Sequence, residues 1–88
     1  MPLSKHIVLG VHITDRVRHV DSVQKLLTGY GCSIRTRIGL HETDQGFCSP
    51  NGLILLEMVD DDNSAAELMD KLNAVEGVEA KKMTFDHA

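Results

Sequence analysis

Histidine and cysteine side chains are the residues of this chain best suited to bind a metal ion. The sequence holds five His and two Cys, and imidazole and thiolate groups suit Ni, Zn or Cu. No two of them show a short ligand spacing such as H-x-H, H-x₃-H or C-x-x-C. His6 and His12 share one face of the first predicted strand but are about 20 Å apart. A metal site would have to join distant segments or two subunits, and His12, His41 and Cys48 are the candidate ligands.

The junction between the first predicted strand and the first predicted helix is a second candidate site. Thr14, Asp15 and Arg16 place backbone N–H groups at a helix N-terminus, where an anion is stabilised. Arg16 or Arg37 could hold a carboxylate through two parallel hydrogen bonds. The alternative interpretation is that Asp15 only caps the helix and that the arginines face water.

Catalytic chemistry has weak support in the residue types. Cys48 and His41 could act as nucleophile and base, but no third group is evident to orient the base. An iron–sulfur cluster usually needs four cysteines, and the chain has two. Cys32 and Cys48 fall at opposite ends of one predicted strand, about 25–30 Å apart, which is too far for a disulfide. We therefore expect a protein that is not an enzyme, and the sequence identifies no cofactor.

The charge balance argues against direct nucleic-acid binding. Thirteen acidic residues outnumber nine Lys and Arg, which gives a net charge of −4, whereas proteins that bind phosphate backbones carry basic surfaces. The longest apolar run, 53–56, is far too short to cross a bilayer, and the first residues lack a signal-peptide pattern. We expect a cytoplasmic protein that makes no membrane contact.

Hydrophobic periodicity predicts four strands and two helices. Strict alternation over 34–41 predicts an outer strand, whereas the nearly continuous apolar stretch 53–59 predicts a central one. The predicted elements are strand 5–14, helix 16–29, strand 34–41, polar loop 42–51, strand 53–59, helix 64–76 and strand 78–85. This βαββαβ order predicts one α+β domain over 1–88, a ferredoxin-like sandwich. Its four-stranded antiparallel sheet has the order 4132, with both helices on one face.

The sheet face without helices is predicted to be apolar. If Ile54, Leu56 and Met58 point at the helices, the alternate residues of the same strand point away from them. The predicted uncovered residues are Val8, Gly10, Leu53 and Leu55, with Glu57. An apolar patch of this kind marks a contact surface, and we expect a homo-oligomer, either a dimer or a tetramer. The alternative is the opposite strand orientation, which would place Leu53 and Leu55 in the core.

Two segments of the sequence resemble a known family. The stretch Arg37-Ile38-Gly39-Leu40 and the pattern Ala66-x-Leu68-x-x-Lys71-Leu72-x-x-Val75-x-Gly77-Val78-x-Ala80-Lys81 are similar to the regulators of iron-only hydrogenase systems. Those are small, stand-alone, ACT-like domains, and the similarity extends over about 7–85. The chain also resembles the C-terminal sensor domain of nickel-responsive repressors, which binds metal.

The resemblance implies a regulatory domain rather than a catalyst. ACT-like domains form dimers that bind small molecules, often amino acids, at subunit interfaces, and the resemblance carries that pocket to Asp15, Arg16 and Val17. The expected function is therefore that of a transcription-linked sensor that binds a small ligand or a protein partner. The alternatives are a sensor of Ni or Zn, and a small dimeric α+β enzyme whose uncovered sheet face forms a pocket.

Overall fold

A computed structural model describes residues 5–14, 16–44, 47–59 and 62–86, and their side chains except at 16–20, 40–44 and 47–51. It contains four strands, two α-helices and one turn of 3₁₀ helix. The elements are β1 (Lys5–Ile13), α1 (Arg16–Gly29), the 3₁₀ turn (Gly31–Ser33), β2 (Ile34–Asp44), β3 (Phe47–Met58), α2 (Asp62–Asn73) and β4 (Val78–Asp86). Neither α-helix is long and apolar enough, over the residues described, to cross a bilayer.

The four strands form one antiparallel sheet in the order β2-β3-β1-β4. This is the predicted order 4132 read from the other edge, and the prediction is confirmed. The two strands with the most continuous apolar sequences, β1 and β3, are the central pair. The sequence predicts this position because a central strand is covered on more sides than an edge strand.

The hydrophobic core lies between the two helices and one face of the sheet. Leu9 of β1 and Leu56 of β3 are paired and fully buried at its centre. The remaining buried side chains of the core are Ile7, Val11, Ile13, Val23, Leu27, Ile54, Met58, Ala65, Leu68, Leu72, Val78 and Ala80. The predicted orientation of β3, with Ile54, Leu56 and Met58 toward the helices, is confirmed.

The hairpin between β2 and β3 is longer than predicted. The sequence predicts a polar loop over 42–51, but Thr43 pairs with Cys48 and Asp44 with Phe47. Strand pairing continues because backbone hydrogen bonds do not require apolar side chains. Pro50, which has no N–H to donate, falls between the paired positions, where the register shifts. Proline in a sheet is commonly found at such irregular positions.

A β-bulge at Arg35 changes the orientation of β2. Ile34 pairs with Met58 and Thr36 pairs with Glu57, so that Arg35 is an extra residue on its strand. A bulge reverses the inward and outward alternation beyond it. Ile34 therefore packs against the core, whereas Ile38 lies on the opposite face and is 50% exposed. Plain alternation predicts these two residues on the same face, and that prediction is wrong.

Helix α2 begins two residues earlier and ends three residues earlier than the predicted 64–76. The side-chain amide of its last residue, Asn73, donates to the carbonyl of Ala80 at 3.2 Å and accepts from the Ala80 N–H at 2.8 Å. Gly77 then adopts a φ of 81°, a left-handed conformation that favours glycine. Its carbonyl accepts the Thr14 N–H at 2.7 Å, which ties the end of β1 to the start of β4.

Candidate functional site

The sheet face opposite the helices, here called the open face, holds the large apolar side chains that remain exposed in the described part of the chain. Ile38 is 50% exposed, Leu53 36%, and Met83 and Phe85 each 53%. Paired residues of antiparallel strands point to the same side, and the register places all four on this face. The described side-chain positions of the open face are Thr36 and Ile38 (β2), Leu53, Leu55 and Glu57 (β3), His6, Val8, Gly10 and His12 (β1), and Glu79, Lys81, Met83 and Phe85 (β4).

Gly10 places no side chain at the middle of the open face. It lies in β1 between Leu55 of β3 and Lys81 of β4. A Cβ atom at this position would stand 3.9 Å from Cδ2 of Leu55, an ordinary van der Waals distance. The position therefore has room for a methyl group.

A hydrogen-bonded polar cluster lies among the apolar side chains of the open face. The Thr36 hydroxyl donates to Oε1 of Glu57 at 3.1 Å, and Oε2 of Glu57 lies 3.2 Å from Nδ1 of His6. The hydrogen bond from His6 and then that from Thr36 hold the pKa of Glu57 below its ordinary value. Partial desolvation opposes this shift, and the positive charge of Arg35 reinforces it. Glu57 is therefore a carboxylate at neutral pH, beside an imidazole on the neighbouring strand.

The predicted anion site lies partly outside the described residues. Asp15 is not among them, and Arg16 and Val17 are described only as the first backbone positions of α1. Arg37 is exposed, and its guanidinium donates to Oε1 of Gln24 on α1 at 2.7 Å. It lies on the helix side of β2, because it pairs with Leu56. A site that combines Arg37 with the start of α1 stays a prediction.

The predicted metal ligands occupy three different places in the sheet. His12 is exposed on the open face, in the row of Leu53 and Glu79. The backbone of His41 pairs with Gly52, whereas Cys48 pairs with Thr43, two residues further along β2. The side chains of His41 and Cys48 are outside the described part of the structure, so the site formed by His12, His41 and Cys48 stays a prediction. Among the described side chains, no group of three His, Cys, Asp or Glu is placed to hold a metal ion.

The predicted interface residues Val8, Gly10, Leu53 and Leu55 all lie on the open face, and their role in assembly stays a prediction. Sequence reasoning missed the contribution of β4, where Met83 and Phe85 join the same surface. Alternation with Lys82 and Thr84 is the signal that could have found them. It missed the position of Ile38 as well, because the bulge at Arg35 has no distinctive sequence.

Comparison with known proteins shows the fold. No family model matches the chain, and no curated protein does. An uncharacterized protein from Thermotoga maritima superposes with a TM-score of 0.76 and 23% identity, covering 91% of this chain and 96% of that one. The ACT domain of a GTP pyrophosphokinase from Chlorobium tepidum gives a TM-score of 0.65 and 19% identity, with coverages of 89% and 96%.

A third similar structure is a nitrogen regulatory PII-like protein from Thiomonas intermedia, whose structure contains ADP, AMP and bicarbonate. It has a TM-score of 0.59 and 12% identity, and 99% of each chain is covered. Identities this low establish architecture rather than activity. With its four antiparallel strands, its order β2-β3-β1-β4 and two helices on one face, this chain has a ferredoxin-like, ACT-like α+β fold.

Proposed function

We propose that this protein is a small regulatory domain that senses a small molecule and works as a homo-oligomer, without catalysing a reaction. The observation that carries the proposal is the open face, on which Ile38, Leu53, Met83 and Phe85 are exposed together. Apolar side chains gathered on one face of a small domain mark a contact surface. The fold is shared with a regulatory PII-like protein and with an ACT domain, which supports a sensing role.

A second copy of the chain is the simplest occupant of the open face. Covering eight half-exposed apolar side chains in a two-fold dimer would give about 6–12 kcal/mol. The loss of translational and rotational freedom costs about 4–15 kcal/mol. Because these two terms are of similar size, we expect a weak dimer that forms at high protein concentration rather than a permanent complex.

Light scattering over a range of protein concentrations tests the oligomer. We expect Leu55→Glu to be a monomer, because the substitution places a charge at the centre of an apolar contact. Thr28→Glu, an exposed change on α1 and away from the open face, is the matched control and should associate like the wild type. Equal association of wild type and Leu55→Glu would rule out this face as the interface.

The proposed ligand site is the start of α1, at Asp15, Arg16 and Val17, and we include Arg37 of β2 as a further group that would bind the ligand's carboxylate. A ligand anion there would compete with Gln24 for the Arg37 guanidinium. A screen of amino acids and adenine nucleotides by melting temperature tests this, since a ligand at 100 times its Kd adds about 2.7 kcal/mol of stability. Arg37→Ala should lose the response, whereas the exposed Arg35→Ala should keep it.

The finer proposal is a transcription-linked regulator of an iron-only hydrogenase system in the cytoplasm. Its support is the similarity of 37–40 and 66–81 to that family. Deletion of the gene in its own host, followed by an assay of hydrogenase activity and transcript level, tests this proposal. Unchanged hydrogenase activity and transcript would contradict it and leave the sensing role standing.

A further inference from the structure

We propose that the cluster of His6, Glu57 and Thr36 makes self-association through the open face depend on pH, with the dimer favoured when the imidazole of His6 is protonated. The inference rests on the proposed function, because it concerns the same face and the same partner, a second copy of this chain. It adds a way in which the amount of dimer would respond to the pH of the surrounding solution.

The position of the cluster places it inside any contact made by the apolar side chains. Glu57 lies in the central strand β3, next to Leu55 on the same face and opposite Val8 of β1. His6 lies opposite Phe85, which is 53% exposed. A partner that covers Leu55 and Phe85 must therefore also cover the carboxylate and the imidazole. A two-fold axis would bring two such clusters into one interface.

A dimer interface would remove water from the cluster, so the net charge of the cluster would affect the free energy of association. In the free chain the side chains of His6 and Glu57 are 45% and 30% exposed, so that water solvates their charges. With a neutral imidazole, each cluster would carry one negative charge into the interface, and burial of an unbalanced charge is costly. With a protonated imidazole, Glu57 and His6 form an ion pair 3.2 Å apart with no net charge.

Within the part of the chain that the structure describes, few other charged groups face the cluster. Arg35 of β2 acts on Glu57 from the outer strand, and its positive charge could partly replace that of a protonated His6. On β4, the residues opposite His6 and Val8 are Phe85 and Met83, which carry no charge. Lys81, the next residue of β4 on this face, lies opposite Gly10. The helices pack on the other side of the sheet.

The direction of the effect follows from proton linkage. If the dimer binds more protons than two monomers, its association constant rises as the pH falls. Imidazole side chains change charge between about pH 5 and pH 8. Two clusters per dimer would take up at most about two protons, which limits the change to about a hundredfold per pH unit. We expect the association constant to be at least about tenfold larger near pH 6.2 than near pH 8.2.

Sedimentation equilibrium of the full chain at several pH values between about 6.2 and 8.2 measures this effect. His6→Gln keeps a side-chain N–H donor but cannot titrate, and its association should be weak and independent of pH. Glu57→Gln removes the buried charge, and its association should be as strong at high pH as the wild type's is at low pH. His19→Gln, in α1 on the other side of the sheet, is the matched control and should keep the wild-type pH dependence. Circular dichroism at each pH verifies that each variant is folded.

The outcomes separate this inference from the proposed function. A wild-type dimer whose association constant does not change with pH would overturn the inference and leave the oligomer standing. A pH dependence that disappears in His19→Gln but remains in His6→Gln would also overturn it. A wild-type chain that is monomeric at every pH would overturn both.

Discussion

Leu55 and Leu56 are neighbours in β3 whose side chains lie on opposite faces of the sheet. Leu56 is fully buried against the helices, whereas Leu55 is partly exposed on the open face. The same substitution at the two positions therefore tests two different surfaces. Leu56→Ala should lower the free energy of unfolding by about 2–5 kcal/mol, because it removes buried methyl groups and leaves a cavity. Urea denaturation measures the loss.

Leu55→Ala is the matched control for that experiment. We expect it to change the stability of the monomer by less than about 1.5 kcal/mol and to weaken self-association instead. Similar losses of stability in the two variants, measured at a concentration where both are monomeric, would mean that Leu55 stabilises the monomer as much as Leu56 does. The pair thus distinguishes a residue that holds the fold from one available for contact.

Orientation was predictable for residues in regular strands. Hydrophobic alternation assigned Leu53 and Leu55 to one side and Ile54 and Leu56 to the other, and the structure agrees. It failed after Arg35, because one inserted residue reverses every side chain that follows. The hydrogen bonds between His6, Glu57 and Thr36 depend on that reversal and on the pairing of three strands. No pattern within a single segment reveals them.

At the scale of elements, β4 depends on a side chain from α2. The amide of Asn73 makes two hydrogen bonds to the outer edge of β4 at Ala80, where an edge strand would otherwise leave its backbone groups unpaired. Asn73→Ala removes both bonds and should lower the free energy of unfolding by about 1–3 kcal/mol. It should also speed hydrogen exchange at the Ala80 amide, as measured by NMR.

Asn73→Asp is the graded control for this contact. It keeps an oxygen that accepts from the Ala80 N–H but loses the donor to the Ala80 carbonyl, so that exchange at the Ala80 amide should stay slow. If Asn73→Ala were as stable as the wild type and equally protected at Ala80, the edge of β4 would not need this contact.

Element type was predictable for the four strands and two α-helices that the structure describes, but the 3₁₀ turn and some ends were not. The bounds of α1 agree with the predicted 16–29, because an apolar stripe and a terminal glycine define them. The β2–β3 hairpin extends past the predicted loop because strand pairing depends on backbone hydrogen bonds, which polar residues also make. The end of α2 at Asn73 follows from a contact with Ala80, seven residues away, which helix periodicity cannot predict.

At the scale of the whole molecule, the hydrophobic core covers one of the two faces of the sheet. The helices cover one face, and the other keeps Ile38, Leu53, Met83 and Phe85 exposed. A domain of 88 residues buries a smaller share of its surface than a large one and is correspondingly marginal in stability. If a second copy covers the open face, part of the stability of the folded chain comes from assembly, and it must then depend on protein concentration.

The melting temperature should therefore rise with concentration. In a dimer that unfolds to separate chains, each tenfold increase in concentration adds about 1.4 kcal/mol per dimer. For two domains of this size, that corresponds to an increase of about 3–5 °C. Scanning calorimetry of the wild type over a hundredfold range measures it, and Leu55→Glu should melt at one temperature throughout. A wild-type melting temperature that stays constant over that range, with reversible unfolding, would mean that the folded chain gains no stability from a second copy.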